Sequence, residues 1–358
     1  MKIALLGDIA LIGRYDRTIR NDVDKRTEIV RQLTSDCDYV IGNLESPLTS
    51  ITNTLACKGV YLRSNPTNVN TLVQMGITHV TLANNHIYDY GRKGAVETIK
   101  TLRAAGIRYV GLNNPPEILK KDSSRVMLDG FCCLSANAIN YGSKSGQVKL
   151  LTPENMELFL QRAEEECCLP IASIHFGVEG LHYPSVEHLR LFRSMADKHE
   201  YVLHGNHPHA LQGYEKFNNS LLIYAQGNLC FDVTPVTSIH FVPAETDEER
   251  KSYISVIEME GNKVKSYRMI SVTDLDTYKI HENKSILSEL DRYSEALKCP
   301  ESEIQKMRND ESKKLRTTSQ ARNLRFYINR LNYKYIGAYL NGKRNRRLYL
   351  NIMREFLS

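Results

Sequence analysis

Three histidines lie within six residues of one another in the segment His204-Gly-Asn-His-Pro-His209. The segment follows an apolar run, residues 201–203, that is typical of a short buried strand, and Pro208 keeps it from continuing as a helix. Because alternate side chains of an extended chain point the same way, we expect His207 and His209 to converge on one point. Imidazoles suit borderline metals such as Zn, Mn or Fe. A histidine-rich surface loop is the alternative that this segment alone leaves open.

Polar side chains also follow several other short apolar runs. These runs alternate with helical patterns, which predicts an α/β fold, and ligands of such sheets bind beyond the carboxyl ends of the strands. The side chains at these positions are Asp8, Asn43, Glu45, Asn85, His86, His175, His207, His209 and Asn228. Each residue alone has a plain alternative, as a helix cap, a solvated side chain or a buried histidine. The prediction of a metal site therefore depends on the whole set, which comes from six separate places in the chain.

The chemistry expected of this set is metal-assisted hydrolysis. Two divalent ions that share a carboxylate lie about 3.5–4 Å apart and lower the pKa of a bound water towards about 7. The ions expected are Mn, Fe or Zn, and a single ion is the alternative to a pair. The predicted metal ligands are Asp8, Glu45, Asn85, His175, His207 and His209. His86 is predicted to protonate the leaving alkoxide as a general acid, and Asp89 is predicted to orient its ring.

Length and composition set the class of protein. A chain of 358 residues allows one large α/β domain with an appendage, or two domains. No apolar run approaches the roughly 18 residues of a spanning helix, and the N-terminal run is too short for a signal peptide. The eight cysteines show no C-x-x-C spacing and are expected to be reduced. We therefore expect a cytoplasmic protein, with a peripheral position at the inner membrane face left open.

Six motifs occur in the same order as in a known family. They are Gly7-Asp8, Asn43-Leu-Glu-Ser-Pro47, Ala83-Asn-Asn-His86 with Asp89 and Gly91, His175-Phe-Gly177 with Glu179, Gly205-Asn-His-Pro-His209 and Gly227-Asn228. Over residues 1–232 the chain resembles the CapA (poly-γ-glutamate capsule synthesis) family, a branch of the calcineurin-like metallophosphoesterases. The resemblance implies a four-layer αββα sandwich with a metal site at the strand ends. We expect this domain to span residues 1–275, followed by a basic helical C-terminal extension, residues 276–358.

The resemblance also implies a role for each residue. Asp8 and His209 would bind the first metal, and Glu45 would bridge the two. Asn85, His175 and His207 would bind the second, and substrate contact is assigned to Asn43, Glu179 and Asn228. One departure is Ala10, which stands where the wider superfamily has a histidine ligand, and another is Glu45, which stands where it has an aspartate. The implied function is phosphoester-type hydrolysis in capsule or surface polymer biosynthesis. The alternative is a non-catalytic capsule-assembly factor that binds an anionic polymer in the same cleft.

The net charge of +6 is unevenly distributed. Residues 312–358 hold twelve of the 47 bases and one of the 41 acids, so this segment carries +11 and residues 1–311 carry −5. Bases and aromatic residues alternate along it, which fits an anionic polymer or an acidic membrane surface as partner. Nucleic acid is the less favoured partner. The plain alternative is a pair of amphipathic helices that pack on the sandwich with their bases facing water.

Overall fold

The computed structural model describes residues 1–54, 57–138, 148–232, 246–318 and 333–357. The first of its two β-sheets combines a parallel half and an antiparallel half. In spatial order its strands are β14 (His281–Glu282), β13 (Lys263–Thr273), β12 (Lys251–Glu260), β1 (Lys2–Ile9), β2 (Tyr39–Leu44), β3 (His79–Thr81) and β4 (Arg108–Val110). Another short strand, β11 (Asn228–Cys230), runs parallel to the last residues of β1. Two strand-like runs joined through Gly261-Asn262 predict a hairpin, and the structure confirms it, because Glu260 pairs with Lys263.

The second sheet is parallel at its centre and antiparallel at both edges. Its strands in spatial order are β5 (Glu117–Lys121), β6 (Ser124–Cys132), β7 (Leu169–His175), β8 (Val202–Asn206), β10 (Ser220–Ile223) and β9 (Tyr214–Phe217). The apolar runs of the sequence do not mark β5, β9, β11 or β14. Both β5 and β9 are edge strands with several charged or half-exposed residues, so no apolar run marks them.

The two sheets pack face to face because their strands alternate apolar residues between two sides. Ile3 and Leu5 of β1 meet Ile171 of β7 in a buried layer between the sheets. Ala4 and Leu6 point the other way, into a second buried layer. This period of two matches the pleat of a strand, and each fully buried leucine or isoleucine contributes roughly 1.5–3 kcal/mol.

Helices cover the outer face of each sheet. The first sheet carries α1 (Val23–Leu33), α2 (Val69–Gln74) and α3 (Gly91–Ala104), and the second carries α4 (Pro153–Glu165) and α5 (Val186–Lys198). The four-layer αββα sandwich predicted from the sequence is thereby confirmed. Asn65 and Thr152 each stand directly before a proline at the start of a helical pattern, which predicts N-caps. Both side chains accept the expected backbone hydrogen bonds, from Thr67 and Asn155.

One predicted helix boundary is wrong. The polar pattern of residues 18–33 predicts a helix that starts at Thr18, but α1 begins at Val23. The carboxylate of Asp16 accepts hydrogen bonds from both the backbone and the hydroxyl of Thr18, which closes a turn there. Such a side-chain bond offers the backbone an alternative to helix and delays the start of α1.

Three helices follow the sheets: α6 (Ser285–Ala296), α7 (Glu301–Thr318) and α8 (Tyr333–Leu357). Leu290 of α6 lies in the layer between the sheets, while Ile304 of α7 and Met353 of α8 join the core over the second sheet. The bases Lys343, Arg346 and other residues of α8 are exposed. The described part of the extension therefore packs on the sandwich with bases facing solvent. The division of the chain at residue 275 stays a prediction.

Among the residues that the structure describes, no helix combines the length and apolar character needed to cross a bilayer. All eight cysteines are free thiols. Phe326 and Tyr327, two aromatics of the basic segment, lie outside the described residues.

Candidate metal centre

The predicted ligands meet where the parallel strands of both sheets end. Asp8 lies near the end of β1, and Glu45 follows β2 directly. His175 ends β7, and His207 follows β8. Donor atoms within 4.8 Å of one another form three overlapping groups: Asp8, Glu45 and His209; Glu45, His175 and His207; Glu179, His207 and His209. Side chains up to about 200 positions apart in the chain thus converge on one small volume.

Glu45 lies at the centre of this volume. Its Oε1 is 3.6 Å from Nε2 of His175, 3.6 Å from Nε2 of His209 and 3.9 Å from Nε2 of His86. The side chain is fully buried, and neither carboxylate oxygen has a hydrogen-bond partner within the described part of the chain. Nδ1 of His207 is buried without a partner in the same way.

These unpartnered atoms test whether a metal fits. Leaving a buried charged or polar group unsatisfied costs on the order of 1–3 kcal/mol or more, so native proteins rarely do it. Two ligand atoms held about 2.1 Å from one tetrahedral ion lie roughly 3.4 Å apart, close to the separations around Glu45. Carboxylate oxygens with imidazole nitrogens form a donor set for Zn, Mn or Fe. The residues present fit a divalent ion.

The backbone after β8 explains how two histidines reach this volume. His207 has a φ of +99° and His209 a φ of +54°, in the left-handed region that non-glycine residues seldom occupy. The expected convergence of the two rings is found, with centroids 5.9 Å apart, but the reason given from the sequence is wrong. The strand ends at Asn206, and a strained turn aims the rings instead of strand alternation.

Gly205 has a separate role in the same segment. A Cβ at this position would lie 1.9 Å from the carbonyl oxygen of Tyr224, so only glycine lets the neighbouring chain approach. His204, the first of the three histidines, points away from the site. Its ring contacts the hydroxyl of Ser173 at 3.0 Å and the carbonyl oxygen of Leu6 at 2.8 Å, which joins the two sheets.

Two of the residues assigned to substrate contact hold predicted ligands in place. Asn43 is fully buried, and its Nδ2 donates to Asp8 Oδ1 at 2.6 Å and lies 3.2 Å from Nδ1 of His175. Asn228 Oδ1 lies 2.8 Å from Nδ1 of His209. These placements favour a positioning role for both amides over substrate contact. Glu179, by contrast, is exposed at the rim of the site, and its contact with substrate stays a prediction.

The remaining predicted ligand, Asn85, also reaches the site, whereas position 10 contributes no donor. Oδ1 of Asn85 lies 3.0 Å from Nε2 of His175. Ala10, at the position where the resemblance implies a histidine ligand, is buried against Ile12 and Leu62 in a small apolar cluster. Its methyl group offers no ligand atom, so a first metal would have one donor fewer than the resemblance implies.

His86 and Asp89 form a buried pair beside the ligands. Nδ1 of His86 lies 2.7 Å from Oδ2 of Asp89, and the Asp89 oxygen also accepts the backbone N–H of Leu62 at 2.8 Å. Nε2 of His86 points to the Glu45 side of the site. The ring is therefore anchored through one nitrogen, and the other faces the volume enclosed by the predicted ligands.

Sequence reasoning missed Lys58. Its buried Nζ donates to Oδ1 of Asp89 at 2.9 Å and to the carbonyl oxygen of Asn85 at 2.7 Å, and it lies 2.9 Å from Nδ1 of His86. Lys58 follows no predicted strand directly, so the strand-end criterion could not select it. No other signal in the sequence marks this lysine.

Burial and clustered charges shift the pKa values of the site. Burial, together with nearby carboxylates, raises the pKa of Glu45 to about 8. Burial lowers the pKa of His207 to about 3. Burial alone would lower the pKa of His209, but the carboxylates of Glu45, Asp8 and Glu179 outweigh it and raise that pKa to about 9. A divalent cation would supply the positive charge that these carboxylates otherwise obtain from protons.

We expect the chelated, metal-free protein to lose stability as the pH rises from about 7 to 9. In the unfolded chain Glu45 and His209 release their protons near 4.5 and 6.5, whereas the folded pair, with pKa values of about 8 and 9, still binds protons above pH 7. Below about pH 6.5 buried histidines with lowered pKa values, such as His207, act in the opposite direction. The free energy of unfolding falls by about 1.4 kcal/mol per pH unit for each proton that the folded state binds in excess. Chemical denaturation in a chelator at pH 7, 8 and 9 measures the slope. A stability that rises over this range would contradict the prediction.

The family described as "Bacterial capsule synthesis protein PGA_cap" matches residues 2–233. The match includes every candidate ligand described above. The chain belongs to this bacterial capsule synthesis family. The helices α6, α7 and α8 lie beyond the matched residues.

Two curated relatives carry the name CapA. The chain is 28% identical over 242 residues to the PGA biosynthesis protein CapA of Bacillus subtilis, covering 65% of this chain and 63% of that protein. It is 28% identical over 248 residues to the capsule biosynthesis protein CapA of Bacillus anthracis, covering 65% and 60%. The chain thus spans less than two thirds of the length of either relative.

One similar solved structure is the calcineurin-like phosphoesterase YfkN of Bacillus subtilis. Its TM-score is 0.44 at 15% identity, over 88% of this chain and 98% of that one.

Proposed function

We propose that this chain is a divalent-metal-dependent hydrolase of phosphoester-type bonds that acts in the biosynthesis of a capsule or other surface polymer. The observation that carries the proposal is Glu45, a fully buried carboxylate without a hydrogen-bond partner in the described residues, surrounded by three imidazole nitrogens at 3.6–3.9 Å. Such a group is stable as an anion only beside compensating positive charge. The capsule synthesis family and the name of the Bacillus anthracis relative, a capsule biosynthesis protein, support the biological setting.

Six side chains would hold the metal. They are Asp8, Glu45, Asn85, His175, His207 and His209. Divalent ions, when bound, supply Lewis acidity that neutralises charge on a phosphoryl oxygen and lowers the pKa of water. Asn43 and Asn228 fix the orientation of their neighbouring ligands by hydrogen bonds, as amides commonly do behind a metal site.

His86 is the group that would move a proton. Asp89 accepts a hydrogen bond from Nδ1 of His86, which leaves Nε2 to donate its proton to a leaving oxygen. Burial and the charge of Lys58 lower the pKa of His86, while Asp89 raises it. A bound anionic substrate would favour the protonated ring, so that the proton is present on Nε2 when an alkoxide leaves.

A non-catalytic assembly factor is the second candidate function. The observation that favours it is the exposed basic face of α8, with Lys343, Arg346, Arg347 and Arg354 directed to solvent. An anionic polymer could bind such a surface through its charge, with an affinity that falls as salt is added. On this reading the buried site has a structural role only.

The hydrolase function is tested by measuring the metal content and the ester hydrolysis of the same protein sample. We expect the full chain, reconstituted with Mn, Fe or Zn, to hold one or two equivalents and to hydrolyse an aryl phosphate monoester or diester. The chelated protein should lose the activity and regain it with metal. Stoichiometric metal without turnover on either ester would contradict the hydrolase. Salt-sensitive binding of polyglutamate by that inactive protein would support the assembly factor.

A further inference from the structure

Lys58 is a buried cation that the chemistry above does not use. An ammonium group taken out of water needs compensating partners. Its Nζ lies 2.7–2.9 Å from three atoms of the segment after β3: Asn85 O, His86 Nδ1 and Asp89 Oδ1. Nζ donates to Asn85 O and Asp89 Oδ1, while Nδ1 of His86, whose proton goes to Asp89, lies beside it. The group is thus placed to hold this segment and not to bind a substrate.

The three contacts of Lys58 converge on residues that the proposed chemistry needs. One contact fixes the backbone carbonyl of Asn85, whose side chain reaches His175. Another fixes the carboxylate of Asp89, which also accepts hydrogen bonds from the backbone N–H of Leu62 and from the His86 ring. Removing Lys58 would leave Asp89 with fewer donors and so loosen the carboxylate that anchors the His86 ring.

Residues on either side of Lys58 contact α8. Nζ of Lys334 donates to the hydroxyl of Thr54 and lies 5.5 Å from the centre of the Tyr61 ring. The Tyr61 hydroxyl in turn accepts the backbone N–H of Lys58 at 3.3 Å. One turn along α8, a Cβ on Gly337 would lie 2.7 Å from Cβ of Cys57, the residue before Lys58. Backbone and side chains of α8 thus pack directly on this segment.

We propose that Lys58 is a positioning residue for the His86–Asp89 pair and that α8 holds Lys58 in place. The C-terminal extension, which lies beyond the family match, then completes the site. The effect on turnover rests on the proposed hydrolase function, whereas the effect on the orientation of the His86 ring does not.

The first experiment needs no turnover. Ring nitrogen and proton signals of ¹⁵N-labelled histidines are compared between the parent chain and Lys58→Met, which keeps most of the side-chain volume. We expect the His86 signals to shift and its ring proton to exchange faster with water. His204, held between Ser173 and Leu6, is the internal control and should not change. Unchanged His86 signals would overturn the proposal whether or not the chain is an enzyme.

The second experiment separates positioning from binding. On the ester that the parent hydrolyses, Lys58→Met should lower kcat by about 10- to 100-fold, with KM and metal content nearly unchanged. Lys58→Arg, which keeps the charge and the donors, should recover part of the loss. Lys298→Met, at an exposed lysine, is the control. A raised KM with normal kcat would overturn the positioning role. A parent with bound metal and no turnover would reject the proposed function and leave the ring measurement to decide the inference.

The third experiment tests α8 with a matched pair of glycines on the same helix. Gly337→Ala pushes a methyl group against Cys57, whereas Gly342→Ala meets only Asn137 Oδ1 at an ordinary 3.8 Å. Both changes raise helix propensity equally, so any difference reflects the contact. We expect only Gly337→Ala to shift the His86 signals, and to lower kcat by about 3- to 10-fold. Equal behaviour of the two variants would overturn the part assigned to α8.

Discussion

Replacing His86 with alanine is expected to lower kcat by about 10²- to 10⁴-fold and to leave the metal content unchanged. The ring is anchored to Asp89 through Nδ1, and its Nε2 lies 3.9 Å from Glu45 Oε1, so it faces the site without belonging to the predicted ligands. Loss of the ring removes a proton donor and leaves Asp8, Glu45 and the other histidines in place. Steady-state kinetics and elemental analysis of the same sample measure the two quantities.

The control for this variant is His281→Ala. His281 lies in β14, and its ring contacts the Lys279 carbonyl oxygen and the Thr277 hydroxyl, away from the site. Its kcat should equal that of the parent. If His86→Ala kept full turnover, His86 would not be the general acid. If it lost metal as well as turnover, the histidine would have to be counted among the ligands.

Glu45→Gln should abolish metal binding and, with it, nearly all turnover. Glu45 takes part in two of the three ligand groups, and glutamine has nearly the same shape without the negative charge. Because neither Glu45 oxygen has a partner in the described residues, the change breaks no hydrogen bond of the fold. The variant should therefore fold, and in chelator at pH 8 to 9 it should unfold at a higher temperature than the parent.

Thermal unfolding with and without metal distinguishes the Glu45→Gln variant from the parent chain. A ligand that binds the folded state raises its stability, by about 2.7 kcal/mol at a hundredfold excess over Kd. The parent should show this increase in unfolding temperature and Glu45→Gln should not. Glu303→Gln, at an exposed position of α7, is the matched control and should respond like the parent. An equal metal response of Glu45→Gln and the parent would reject the site centred on Glu45.

Much of the architecture follows from local patterns. Short continuous apolar runs in β1 and β7 predicted buried strands, and the caps at Asn65 and Thr152 marked helix starts that the structure confirms. Edge strands such as β5 escaped prediction because their charged side chains face water and leave no apolar run. At Thr18 a side-chain turn overrode a helical pattern that looked continuous.

The sequence by itself determined which side chains stand at the ends of parallel strands, and hence that Asp8, Glu45, His175 and His207 would meet. Ligands of such sheets bind beyond the carboxyl ends of the parallel strands, and the end of a strand can be located from the local sequence pattern. Tertiary structure alone decided the left-handed turn that aims His209, the use of Asn43 to hold Asp8, and the contact of Lys58 with Asp89. Each of these depends on contacts between segments far apart in sequence, which no local pattern encodes.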